Sequence, residues 1–200
     1  MSATLRLALA AALIAAPVAL PAQRMSESYE FLKAVRDANG NKVNEILGKP
    51  GSSVINTKDV SNGESALHIV AKRSDVTYLR FLIGKGASLN QQDRAGNTPL
   101  LVATSERCFE CVDELVKRRA NLNLANNSGE TPLIRAVQLR DLELTRRLLT
   151  AGANPDQRDV IAGMSARDYA TIDNRSPALT KLLTEAPKAG ARGVSGPVLR

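Results

Sequence analysis

The sequence predicts an all-α solenoid of stacked helix–turn–helix units with β-turn tips, five units including the caps. Three observations predict it. Glycines recur at Gly63, Gly96 and Gly129, at a spacing of 33 residues, and open "GESALHIVA", "GNTPLLVAT" and "GETPLIRAV". The same period carries Leu67, Leu100 and Leu133, then Leu82, Leu115 and Leu148, then Ala87, Ala120 and Ala153. The segments that close the units also match: "LIGKGASLNQQD", "LVKRRANLNLAN" and "LLTAGANPDQRD". Such a period means that each unit buries its apolar face on its neighbours and not in one central core.

The elements follow in chain order. Arg6 precedes an apolar run, Leu7 to Leu20, broken by Pro17 and closed by "LPAQR". That is the layout of a secretory signal peptide, because the run is too short to span a bilayer and small residues stand at the cut. Cleavage is expected after Ala22, with Ala19 as the alternative, so residues 1–22 leave and the mature chain is exported. "FLKAVRDANGNKVNEIL" has the rhythm of two helices and forms an N-terminal capping unit, 29–62, with a longer loop from Gly48 to Asn62. Units 63–95, 96–128 and 129–162 come next, within a repeat domain of residues 25–186.

Within each unit the glycine supplies a positive φ for a tight turn. Ser65, Thr98 and Thr131 are N-caps for the first helix. Pro99 and Pro132 take the first helical position, where a missing N–H costs nothing. Leu100 with Ala103, and Leu133 with Ala136, give a short helix with a small inner face. The second helix carries Leu79, Leu82 and Ile83, then Val112, Leu115 and Val116, then Leu142, Leu148 and Leu149. "GKGA" and "AGA" end it on a left-handed glycine. "AGMSARDYA" and "SPALTKLLTEA" form a C-terminal capping unit, 163–186, in which polar Arg167 replaces a leucine. Residues 187–200 lack apolar periodicity and read as a disordered tail.

From Gly63 to Asp159 these units resemble ankyrin repeats, whose pattern T-P-L-H-x-A returns every 33 residues. The sequence departs from that pattern where Ser74, Arg107 and Arg140 replace the glycine usual between the helices, and where Arg119 stands in register with Gly86 and Gly152. The resemblance implies a protein-binding scaffold whose concave face is lined by turn tips and the exposed side of each first helix. It assigns to that face Ser61, Asn62, Glu64, Lys72 and Arg73; Arg94, Ala95, Asn97, Ser105, Glu106 and Arg118; Asn127, Ser128, Glu130, Gln138 and Leu139; and Val160, Ile161 and Met164 at an apolar last tip. These letters vary between units while the framework letters repeat.

Other chemistries have less behind them. Net charge is +7, but Arg6, Arg24, Lys188, Arg192 and Arg200 lie in flanking segments, which leaves +2 on Met25 to Ala186 and no basic stripe for nucleic acid. His68 is the only histidine. Leu101 and Ile134 fill its slot in later units, so it reads as a ring tying neighbouring turns together and not as a general base. Cys108 and Cys111 are three apart where a second helix begins. That spacing allows a local disulfide, the default in an oxidising space, worth less than about 3 kcal/mol for so short a loop. A thioredoxin-like site needs a preceding strand that is missing here, and zinc needs more ligands. The expected function is a monomeric, exported, periplasmic or secreted scaffold that binds another protein, without cofactor, metal or catalysis, and free of the membrane after cleavage. The alternatives are a thiol redox sensor or protective factor using the cysteine pair, and a secreted effector.

Overall fold

The structure is a computed structural model that describes residues 19–173 and 175–187, with side chains from residue 27 onward. The expected signal peptide falls largely, and the expected tail almost wholly, outside the described residues. Among the described residues ten α-helices run in order: α1 (Ala19–Arg36), α2 (Gly40–Leu47), α3 (Ala66–Lys72), α4 (Val76–Gly84), α5 (Pro99–Ser105), α6 (Phe109–Lys117), α7 (Pro132–Gln138), α8 (Leu142–Ala151), α9 (Ala166–Ile172) and α10 (Pro177–Glu185). A 3-10 turn spans Val54–Asn56, and strand geometry among the described residues is limited to two isolated antiparallel bridges, Lys58 with Ser65 and Arg158 with Ser165.

The helices form two layers. First helices pack in sequence, α1 on α3, α3 on α5, α5 on α7 and α7 on α9, while α4, α6, α8 and α10 make the second layer. The periodic letters account for this. Leu67, Leu100 and Leu133 are at most 1% exposed, and Leu82, Leu115 and Leu148 are fully buried. Burying each such side chain contributes about 1.5–3 kcal/mol. Ala66, Ala103 and Ala136 on the first helices are buried as well.

Helix starts behave as the sequence predicts, with one variation. The Thr98 and Thr131 hydroxyls accept from the Leu101 and Ile134 amides at 3.2 Å. At Ser65 the brace is reciprocal, a capping box with His68 in which the Ser65 backbone N–H also donates to His68 Nδ1 at 3.1 Å. Left-handed residues end the helices at Gly86 (φ +90°) and Gly152 (φ +99°). Arg119 keeps that conformation at φ +67°, and Ser74, Arg107 and Arg140 keep it at +56°, +55° and +53°. The array therefore holds non-glycine residues where the family uses glycine, at about 1–2 kcal/mol each.

Part of that strain is offset across units. Arg107 Nη2 donates to the Leu139 carbonyl at 2.7 Å, and Arg140 Nε to Asp173 at 2.5 Å. Arg119 makes no such bond among the described residues. Helix α1 begins at Ala19, ten residues before the capping unit expected at 29, and runs through Ala22. Nothing after Pro21 breaks it, and a proline in a first turn is tolerated. At the other end Arg167 anchors α10, with Nη2 on the Ala186 carbonyl at 2.8 Å and Nε on Asp156 at 2.7 Å, which explains a polar residue in a leucine's place.

Candidate functional site

The turn tips are held by a carboxylate or amide that precedes each glycine. Asp93 Oδ1 accepts from the Asn97 amide at 2.8 Å, and Asn126 Oδ1 accepts from Ser128 and Glu130 at 3.0 Å. Asp159 Oδ1 accepts from Ile161, Ala162 and Gly163, and Asp59 from Ser61. Each tip is then bonded to the one before it. The Arg94 amide donates to Asn62 at 2.9 Å, Asn127 to Ala95 at 3.0 Å, and Val160 to Ser128 at 3.0 Å.

These rungs explain the recurring glycines beyond their φ. A Cβ on Gly96 would stand 2.6 Å from the Asn127 nitrogen, and on Gly129 2.5 Å from that of Val160. A second ladder runs beneath, where Asn56, Asn90 and Asn123 side chains accept from the Ser88, Asn121 and Asn154 amides at 2.7–2.8 Å. Sequence reading missed both sets of braces. The signal was present: an Asp or Asn three or four residues before each tip glycine, and the asparagine of "SLN" and "NLN".

On this scaffold the predicted face separates into groups. Lys72, Ser105 and Gln138 are exposed at one equivalent place, the last residue of α3, α5 and α7, with exposed Ile172 in register on α9. Ser61, Asn62, Arg94, Ala95 and Asn127 are exposed on the tips, and Val160 and Ile161 are 72% and 79% exposed. Arg73 and Glu106 are exposed at the ends of their first helices, although Arg73 is tied back to the Val35 carbonyl at 2.9 Å. Glu64, Ser128, Leu139 and Met164 are half-buried.

Three assignments need correction. Glu130 is only 7% exposed, its carboxylate taken up by Arg135 at 2.8 Å and Asn126 at 3.2 Å. Burial pushes its carboxyl up, against the pull of Arg135. Asn97 is half-buried between Asp93 and Asn126, so it braces tips and offers little to a partner. Arg118 caps α6 in the second layer, paired with Glu114 at 2.9 Å, and lies away from the first helices. Single-letter register could not reveal this, because Glu130 and Asn97 turn inward toward partner residues and Arg118 follows its helix-mate Glu114.

His68 is fully buried. Because Nδ1 accepts the Ser65 N–H, the proton sits on Nε2, which donates to the Asn97 carbonyl at 2.8 Å. Burial lowers its pKa below the ordinary value, so the ring is a neutral tie between units. Cys108 and Cys111 are bonded, with Cα atoms 5.2 Å apart, and are 5% and 0% exposed. Cys108 is the N-cap of α6, in register with the N-caps Asp75 and Asp141, and its sulfur accepts from the Cys111 amide at 3.3 Å. The pair therefore starts a helix from inside the core.

Comparison with known proteins agrees with this architecture. The family described as ankyrin repeats (3 copies) matches residues 31–126 and 79–159. The nuclear factor NF-kappa-B p110 subunit of Drosophila melanogaster is 38% identical over 63 residues, 32% of this chain and 6% of that protein. Neurogenic locus notch homolog protein 4 of Homo sapiens is 42% identical over 60 residues, 30% of this chain and 3% of that protein. The matched stretch is thus a small fraction of either relative.

Proposed function

This chain belongs to the ankyrin-repeat family, and from that premise we propose that it is an exported, non-catalytic scaffold that holds another protein against its tips and first helices. Ankyrin repeats generally mediate protein–protein interaction. One observation carries the reading for this chain. At a single structural place, the last residue of each first helix, the units expose Lys72, Ser105, Gln138 and Ile172, four different side chains, on a layer of helices that buries the unvarying Leu67, Leu100 and Leu133. A surface that changes while its support stays constant is what a specific partner reads. Two features support export: the apolar run Leu7 to Leu20 after Arg6, and the Cys108–Cys111 bond, which persists in an oxidising space.

The test is photocrosslinking in the exporting cell from Ser105 and Gln138, with exposed Thr77 on α4 as the second-layer control. The expected result is one discrete adduct from both first-helix positions and none from Thr77. Equal capture from all three positions, or none from any, overturns the reading.

A further inference from the structure

The row of tips has an open donor at its first end. In every later tip, the residue after the bracing side chain donates its backbone N–H to the tip before. Arg94, after Asp93, donates to Asn62 at 2.9 Å; Asn127, after Asn126, to Ala95 at 3.0 Å; and Val160, after Asp159, to Ser128 at 3.0 Å. Val60 holds the same place after Asp59, yet its N–H donates to nothing among the described residues. The order of elements is the cause. Helices α3, α5, α7 and α9 each follow a tip, whereas α1 is one continuous helix from Ala19 to Arg36, so among the described residues no tip precedes the first.

In its stead a groove of about 440 Å³ lies between α1 and the first tip. Tyr29, Leu32 and Arg36 line one side, and Lys58, Asp59 and Val60 the other. Tyr29, Leu32 and Val60 make the lining apolar, and Tyr29 and Val60 are 62% and 74% exposed. Asp59 is engaged by the Ser61 N–H at 2.7 Å and by the Arg36 guanidinium, so the charges of Asp59 and Arg36 offset each other. Lys58 is exposed, and its ammonium forms no hydrogen bond or ion pair among the described residues. A spare backbone donor, an apolar wall and one uncompensated cation thus meet in one groove.

Building on the protein-binding reading above, we propose that this groove seats an extended segment of the partner. A backbone carbonyl of that segment accepts the Val60 N–H and completes the rung that the array lacks. An aliphatic side chain enters between Tyr29, Leu32 and Val60, and a carboxylate pairs with Lys58. The segment is extended because an α-helix has free carbonyls only in its last turn. In pairing of this kind the backbone bond supplies affinity, and the flanking pocket and charge select the side chains. A basic side chain is turned away by Lys58.

The test selects random heptapeptides displayed on phage against the purified full chain, then titrates the enriched peptides into nitrogen-15-labelled protein. The expected peptides combine an aliphatic residue with Asp or Glu and move the Val60 amide resonance to lower field. Their affinity should fall at least about tenfold for Lys58→Glu and for the Tyr29→Asp/Val60→Asp double variant, whose altered residues are exposed. Three results overturn the proposal: no enrichment, peptides that bind the variants equally, or peptides that leave Val60 unmoved. A Val60 amide already protected from exchange in the free chain also overturns it, because the chain's own residues then close the groove. Should a variant unfold by circular dichroism, the Val60 resonance of the unmodified chain decides alone. Failure here is distinguishable from failure of the scaffold reading, which is measured by crosslinks from Ser105 and Gln138.

Discussion

Replacing Arg119 with glycine should make this protein more stable, although arginine carries more contact-forming atoms. Arg119 holds φ +67° in register with Gly86 at +90° and Gly152 at +99°. A left-handed conformation costs a non-glycine residue about 1–2 kcal/mol, and the extra freedom of glycine in the unfolded chain returns about 0.5–1 kcal/mol of that. The guanidinium makes no hydrogen bond or ion pair among the described residues, so none is lost. The net gain is therefore about 0.5–1 kcal/mol. For a domain of this size that corresponds to a rise in Tm of about 1–4 °C.

The informative comparison is Arg107→Gly. That residue has a similar strain, φ +55°, but it donates to Leu139 at 2.7 Å and lies 3.7 Å from Asp141 in the next unit. Losing those contacts costs about 1 kcal/mol, so this substitution should leave stability unchanged or lower it. Urea unfolding of both variants, with the midpoint shift taken at constant m-value, measures the difference. If both gain equally, the claim that bonds across units offset the strain is wrong; if Arg119→Gly destabilises, the claim of strain itself falls.

Three further outcomes follow from the same geometry. Gly129→Ala should cost at least about 3 kcal/mol and Gly86→Ala about 1–2 kcal/mol, because a Cβ at 129 strikes the Val160 and Asp159 backbone while one at 86 meets nothing within 4 Å; urea midpoints rank them, and equal losses would remove the close approach as an explanation. Reducing Cys108–Cys111 should lower stability by about 2 kcal/mol, the loop-closure value for so short a loop, and leave far-ultraviolet circular dichroism native; collapse of the helical signal would show that the bond is indispensable. Since burial holds the folded His68 pKa below its unfolded value of 6.5, the unfolded chain binds the extra proton. Stability contributed by the neutral ring is complete above pH 6.5 and falls as pH drops below it toward the folded pKa. His68→Leu, which copies Leu101, should flatten the urea midpoint between pH 7 and 5; an unchanged slope would clear His68 of that dependence.

Much of the fold was legible in single letters. The two helices of each inner unit, the threonine caps and the left-handed Gly86 and Gly152 depend on a residue and its near neighbours, and the period repeats each signal several times. The positive φ of Arg119 was legible in the same way, from its register with two glycines. The candidate face was legible only in part. Lys72, Ser105 and Gln138 are exposed as register predicts, yet Glu130 and Asn97, marked by the same register, turn inward.

What the tertiary structure alone decided lies about one period away in the chain. The Asn97 side chain meets Asn126, Arg107 reaches Leu139, and the Gly129 backbone closes on Val160. These pairings require the units to be stacked before the atoms can meet, so nothing local to either residue announces them. The sequence by itself determined the repeating unit; the stacking determined which polar letters became struts within the array and which remained on its surface.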